Sequence, residues 1–168
     1  MRSEKGKGDK VKRMWAPWRM DYILQPKQKG CLFCEKAREK NDGENYVLVR
    51  SRKSFCIMNL YPYNNGHLMV APYRHVRTIE SLTDEEICDM LLVAKKGVKA
   101  LKVAFKPEGF NMGINIGKIA GAGVVGHIHM HIVPRWKGDT NFMPIMSDTK
   151  LVSQGLGRTY STLKKLMS

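Results

Sequence analysis

The sequence predicts an α+β domain built on a mainly antiparallel sheet with one long helix packed against it. Three observations lead there: short apolar runs separated by polar gaps of turn length, one long segment with helical periodicity, and a run in which histidine alternates strictly with apolar residues. Strands gathered around a single helix, not alternating with several, argue against repeated strand–helix–strand units.

Residues 1–13 carry Arg2, Lys5, Lys7, Lys10, Lys12 and Arg13 against Glu4 and Asp9, the composition of a flexible basic arm ahead of one domain over 14–168. Residues 14–24 include Trp15, Pro17, Trp18 and Tyr22 and are expected to cover apolar surface, in preference to lining a pocket for a flat ligand. Residues 46–50 and 54–60 read as two strands of a hairpin closed by the polar turn 51–53. Asn64, Asn65 and Gly66 then turn the chain into a strand from His67 to Ala71, ended by Pro72.

Thr83 followed by Asp84, Glu85 and Glu86 is a capping box, with acids at the positive end of the helix dipole. Ile87, Leu91, Ala94, Val98, Leu101 and Phe105 recur at steps of three and four, which predicts one apolar helical face, until Pro107 and Gly109 stop the helix. A strand over 110–116 leads into the loop 117–126, where Gly117, Gly121, Gly123 and Gly126 allow close backbone approach to a ligand. The histidine run follows, and the tail over about 147–168 reads as a C-terminal extension of the domain.

A chain of 168 residues suits one domain with a sizeable core. It has no apolar run long enough for a membrane span and no apolar segment behind its basic N-terminus, so a soluble cytoplasmic protein is expected. Lys and Arg outnumber Asp and Glu by 29 to 15, a net charge of +14 that implies an anionic partner. A nucleic-acid face is the less favoured form of that partner, because no basic stripe interleaved with aromatics stands out. Of four cysteines, Cys31 and Cys34 have the CxxC spacing that lets two thiolates reach one metal ion, against the competing reading of two reduced thiols in a turn. Cys56 and Cys88 read as buried small hydrophobes.

In a strand, His127, His129 and His131 share one side, roughly 6 to 7 Å apart, while Ile128, Met130 and Ile132 line the other. Imidazole can be a nucleophile, a proton carrier or a metal ligand near neutral pH. A glycine-rich loop leading into such a row suggests an anion site, since successive backbone amides can cradle a phosphate. A neutral imidazole could then attack phosphorus in line and leave a phosphoramidate, a scheme that demands no bound magnesium, and no organic cofactor is expected.

The run His127 to Val133 resembles the histidine triad (HIT) signature, and Gly66 with the stretch from His67 to Pro72 and His75 resembles that family's upstream strand. The flanks, residues 16–23 and 134–142, look like the branch of diadenosine tetraphosphate phosphorylases, or ATP adenylyltransferases, related to fragile-histidine-triad hydrolases. The resemblance implies a HIT-like fold with about five strands and a short helix near the N-terminus. It implies His129 as the nucleophile, His131 on the α-phosphate and His67 beside the same group. Asn59 would fall near the ribose and Asn115 near the phosphates, with the backbone of Gly121, Ala122, Gly123, Val124 and Val125 along the phosphate path. In members with CxxC a structural zinc is held by the equivalents of Cys31, Cys34, His75 and His127, a closed set with no open position for chemistry.

Gly123 and Val124 stand where many relatives carry Gln and then Ser or Thr, which leaves phosphate contacts to backbone amides or to residues 135–141, where Arg135 and Lys137 could attract an acceptor phosphate. The expected activity is nucleotidyl transfer from a dinucleoside polyphosphate or another adenine nucleotide, with inorganic phosphate or water as acceptor and a homodimer as the assembly. A Hint-type phosphoramidate hydrolase resembles the flanks less. A non-catalytic nucleotide-binding module is the alternative from a different class.

Overall fold

The computed structural model describes residues 30–139 and 154–167. The basic arm, the aromatic stretch 14–24 and residues 140–142 of the downstream flank lie outside the described residues. In chain order the elements are α1 (Leu32–Arg38), β1 (Val47–Arg50), β2 (Ser54–Met58), β3 (Leu68–Pro72), a 3-10 turn (Ile79–Ser81), α2 (Asp84–Phe105), β4 (Gly109–Ile114), β5 (Met130–Arg135) and α3 (Leu156–Met167). The five strands form one antiparallel sheet in the order β1-β2-β3-β5-β4, so the last strand inserts between β3 and β4. This is the α+β architecture expected, with a short helix ahead of the sheet.

Alternation along the strands divides the core into two faces. On one, Leu48, Cys56, Met58, Leu68, Val70 and Ile132 pack under α2 and α3. On the other, Val47, Phe55, Ile57, Met69 and Ala71 surround Phe33 of α1. The long helix starts as its sequence demands: Thr83 accepts from the Glu86 amide while the Glu86 carboxylate accepts from the Thr83 amide. It ends with Lys106 in the left-handed conformation, one residue before Pro107.

The buried stripe of α2 differs from the expected one. It runs through Met90, Val93, Ala94, Gly97, Ala100 and Leu101, whereas Ile87 and Leu91 are exposed. Periodicity alone allows either stripe, and Gly97 decides it: a Cβ there would lie 3.1 Å from Leu68, so the helix crosses β3 and β5 at its one residue without a side chain. Cys88 is likewise exposed and not buried, being on the outer side of the same helix, while Cys56 is fully buried. The tail, for which no element was expected, supplies α3, whose Leu163 and Met167 complete the core over α2 and β1.

Candidate active site

The register of β3 and β5 brings the histidines together. Met69 faces His131 and Leu68 faces Ile132, so His67, one residue upstream of Leu68, lies diagonally across from His131 on the same face. The ladder begins only at Met130, so His127 and His129 precede the strand instead of lying within it. In this register Pro72 faces Ile128 and has no N–H to give, which ends the pairing. The approach is held in other ways: the Ile128 amide donates to the Val76 carbonyl (2.7 Å), and His127 Nε2 donates to the Pro72 carbonyl (2.9 Å). The rings also turn toward one another, so the His129 and His131 centroids are 4.8 Å apart, closer than the strand repeat predicts.

Hydrogen bonds to groups that cannot change protonation assign the tautomers. The Tyr63 amide donates to His67 Nδ1 (3.0 Å), and so does Asn59 Nδ2 (3.3 Å), whose orientation is set by the Tyr61 amide donating to Asn59 Oδ1 (2.9 Å). His67 Nδ1 is therefore an acceptor, the proton is on Nε2, and it is donated to His131 Nδ1 (2.9 Å). His131 in turn carries its own proton on Nε2. His129 is the reverse case: its Nδ1 donates to the His127 carbonyl (2.9 Å), which leaves a lone pair on Nε2. Burial pushes the His129 imidazole below its ordinary pKa and so favours that neutral form.

Beside this pair, Cys31, Cys34, His75 and His127 place one donor atom each within 4.8 Å of all the others. His127 Nδ1 is 3.2 Å from the Cys31 sulfur and 3.5 Å from that of Cys34, and His75 Nδ1 is 3.3 Å from the Cys34 sulfur. Neighbouring ligands of a tetrahedral zinc with the usual bond lengths stand about 3.3 to 3.8 Å apart, so the set fits a closed metal site. Burial and the Cys31 thiol push the Cys34 thiol up, which a cation between the two would reverse. His127 is held neutral, first by its burial, and its Nε2–H is occupied by the Pro72 carbonyl, so Nδ1 is the nitrogen available to a metal.

Residues 40–138 match the model of the HIT domain family. The chain belongs to that family. The AP-4-A phosphorylase of Mycobacterium tuberculosis is 38% identical to this HIT chain over 163 residues, covering 92% of the chain and 83% of the relative. A bis(5'-nucleosyl)-tetraphosphatase (asymmetrical) of Schizosaccharomyces pombe is 32% identical over 120 residues, covering 71% of the chain and 62% of the relative. The crystal structure of a zinc-bound histidine triad family protein from Mycobacterium smegmatis shares the fold with a TM-score of 0.65 at 23% identity, covering 82% of this chain and 93% of that one.

Within this HIT domain the other expected site residues are distributed unevenly. Asn59 is beside the histidines, but its amide is engaged with His67 and the Tyr61 amide. Asn115 lies against Gly121, 3.9 Å from where a Cβ would stand. In the glycine loop the Gly121 and Ala122 amides donate to the Lys118 and Gly117 carbonyls, so they close local turns and are not offered to a ligand. Among the described residues the amides of Gly123, Val124 and Val125 make no such bond. Arg135 holds Asp139 through two nitrogens and Asn111 through the third, which neutralises the charge expected to draw in a phosphate. Lys137 is exposed.

Sequence reasoning missed three residues that shape the site. Phe33 of α1 sets its ring beside His129, centroids 4.7 Å apart and tilted by 39°; it was legible only as an apolar residue inside CxxC. Tyr63 stacks on His67 with centroids 4.8 Å apart, with no pattern to announce it. Arg50 donates to the carbonyls of Lys36, Ala37 and Glu39, fastening the end of α1 to β1. Only the tertiary fold brings that cation to those carbonyls.

Proposed function

We propose that this protein cleaves dinucleoside polyphosphates by nucleotidyl transfer to His129. The observation that carries the reading is the opposed tautomers of two adjacent imidazoles: a lone pair on His129 Nε2 and a proton on His131 Nε2. The lone pair attacks the α-phosphorus in line, forming the phosphorus–nitrogen bond as the bond to the bridging oxygen breaks. His131 gives its proton to the departing polyphosphate oxygen, and His67 stabilises the charge that results. Inorganic phosphate or water then attacks the adenylyl-His129 and releases ADP or AMP. The amides of Gly123, Val124 and Val125 are the groups we assign to the phosphate chain, and Asn115 supports that loop.

The names of the relatives support both acceptors, phosphate for the mycobacterial protein and water for the yeast one. Given the higher identity and coverage of the former, phosphorolysis is the activity we assign. With diadenosine tetraphosphate, ADP should form only when phosphate is present; AMP forming at the same rate without phosphate would make the protein a hydrolase. Acid quenching should trap one AMP on His129, and a His129→Ala variant with near-normal turnover would refute the nucleophile.

Zinc at Cys31, Cys34, His75 and His127 belongs to this reading, as a cross-link of α1 to the sheet and not as a Lewis acid. So does a cytoplasmic homodimer, supported by the thiols' need for a reducing compartment and by the exposed edge strand β4, where Met112 is 46% exposed. No helix among the described residues is long and apolar enough to cross a membrane.

A further inference from the structure

Among the described residues, two contacts other than His131 hold the His129 ring, and both come from segments that carry the metal-ligand set. One is the His127 carbonyl, which accepts the Nδ1 proton. The other is Phe33, wholly buried between Cys31 and Cys34 in sequence, whose ring centroid is 4.7 Å from that of His129 at a tilt of 39° and 5.2 Å from that of His127. Phe55 meets Phe33 edge-on at 6.4 Å and both rings are wholly buried, so Phe33 has little freedom of its own. The second torsion of histidine is intrinsically broad and nearly two-fold, and a half turn about it exchanges Nε2 with a carbon. A single hydrogen bond resists that turn weakly. A second ring only 4.7 Å away, tilted by 39° to the imidazole, obstructs it, because the imidazole would have to sweep through the occupied space.

We infer that Phe33 is a positioning residue for the nucleophile: it fixes the plane of His129 so that Nδ1 stays on the His127 carbonyl and Nε2 keeps its place, and it makes that orientation depend on the order of the Cys31, Cys34, His75, His127 cluster. A residue that merely filled the core would need only apolar volume. Here the function requires a ring face, and it rests on the reading of His129 as nucleophile.

The test compares full-length, zinc-loaded wild type with Phe33→Leu and Phe33→Ala. Three quantities are measured: zinc per chain, the nitrogen NMR shifts of the His129 ring, and kcat and KM on diadenosine tetraphosphate. Both variants should keep their zinc and hold KM within about twofold, while kcat falls about tenfold for Leu and about a hundredfold for Ala, the scale of loss that misplaced reacting atoms produce. The two His129 nitrogen shifts, well separated in the wild type, should move toward each other. An unchanged His129 spectrum in the zinc-loaded variants overturns the proposal, as does an altered spectrum with undiminished kcat. Loss of zinc from both variants also overturns it, since Phe33 would then serve the metal alone. A wild type inert toward the dinucleotide would defeat the functional reading, while the spectra would still decide the role of Phe33.

Discussion

At the scale of single residues, the imidazole tautomers depend on backbone groups that have no second protonation state. The Tyr63 amide can only donate and the His127 carbonyl can only accept, and between them they set His67, His131 and His129 in complementary tautomers. Replacing His67 by Phe keeps a ring beside Tyr63 but removes the donor to His131 and the acceptor that His67 Nδ1 offers the Tyr63 amide. The expected result is a loss of about 100-fold in kcat with a small change in KM, and about 1 to 3 kcal/mol of stability, read by steady-state kinetics and urea unfolding. A second buried group gives a pH signature. Glu86 accepts from Arg74 and from the Thr83 amide, and these bonds lower its carboxyl from 4.5 to about 2. Because the folded-state value is depressed, the stabilisation is present above the unfolded value and is lost as pH falls from about 5 to about 2. Thermal midpoints of wild type and Glu86→Gln should differ at neutral pH and converge across that window; a constant difference would place the stabilisation elsewhere.

At the scale of elements, local signals and packing agree at some places and part at others. The capping box of α2 and its stop before Pro107 were legible because both are local chemistry. Its buried stripe was not, because the apolar residues of the helix support more than one face and the choice was made by the sheet beneath Gly97. The turn before β3 is a further local constraint. Gly66 has φ +73°, and a Cβ there would come within 2.7 Å of Leu101. Gly66→Ala should therefore cost about 1 to 3 kcal/mol, from left-handed strain plus overpacking, and should disturb His67 one residue on. Chemical denaturation checks the first effect and kcat the second.

At the scale of the whole molecule, charge and the metal-ligand cluster act together. A net charge of +14 with a polyanionic substrate predicts that kcat/KM falls several-fold between about 30 and 300 mM salt, while kcat changes little, since screening acts on encounter. Chelation should lower the thermal midpoint and release α1 first, visible as early loss of amide protection over Leu32–Arg38. Protection lost uniformly across the sheet would mean that the cluster supports the whole fold and not one segment.

What could be read from the chain alone was whatever is written in short-range order: the strand runs, the helix cap, the CxxC pair and the alternation that puts three imidazoles on one side. The histidine pattern also sufficed for the family, because few other arrangements demand it. What could not be read depends on contacts between residues far apart in the chain: the insertion of β5 between β3 and β4, the diagonal placement of His67 against His131, the pairing of Arg135 with Asn111 and the position of Phe33 beside His129. Periodicity specifies which side a residue faces but not what faces it. That partner is set when the sheet closes its register, and in this molecule it gives His127, His129 and His131 different partners within a single run of five residues.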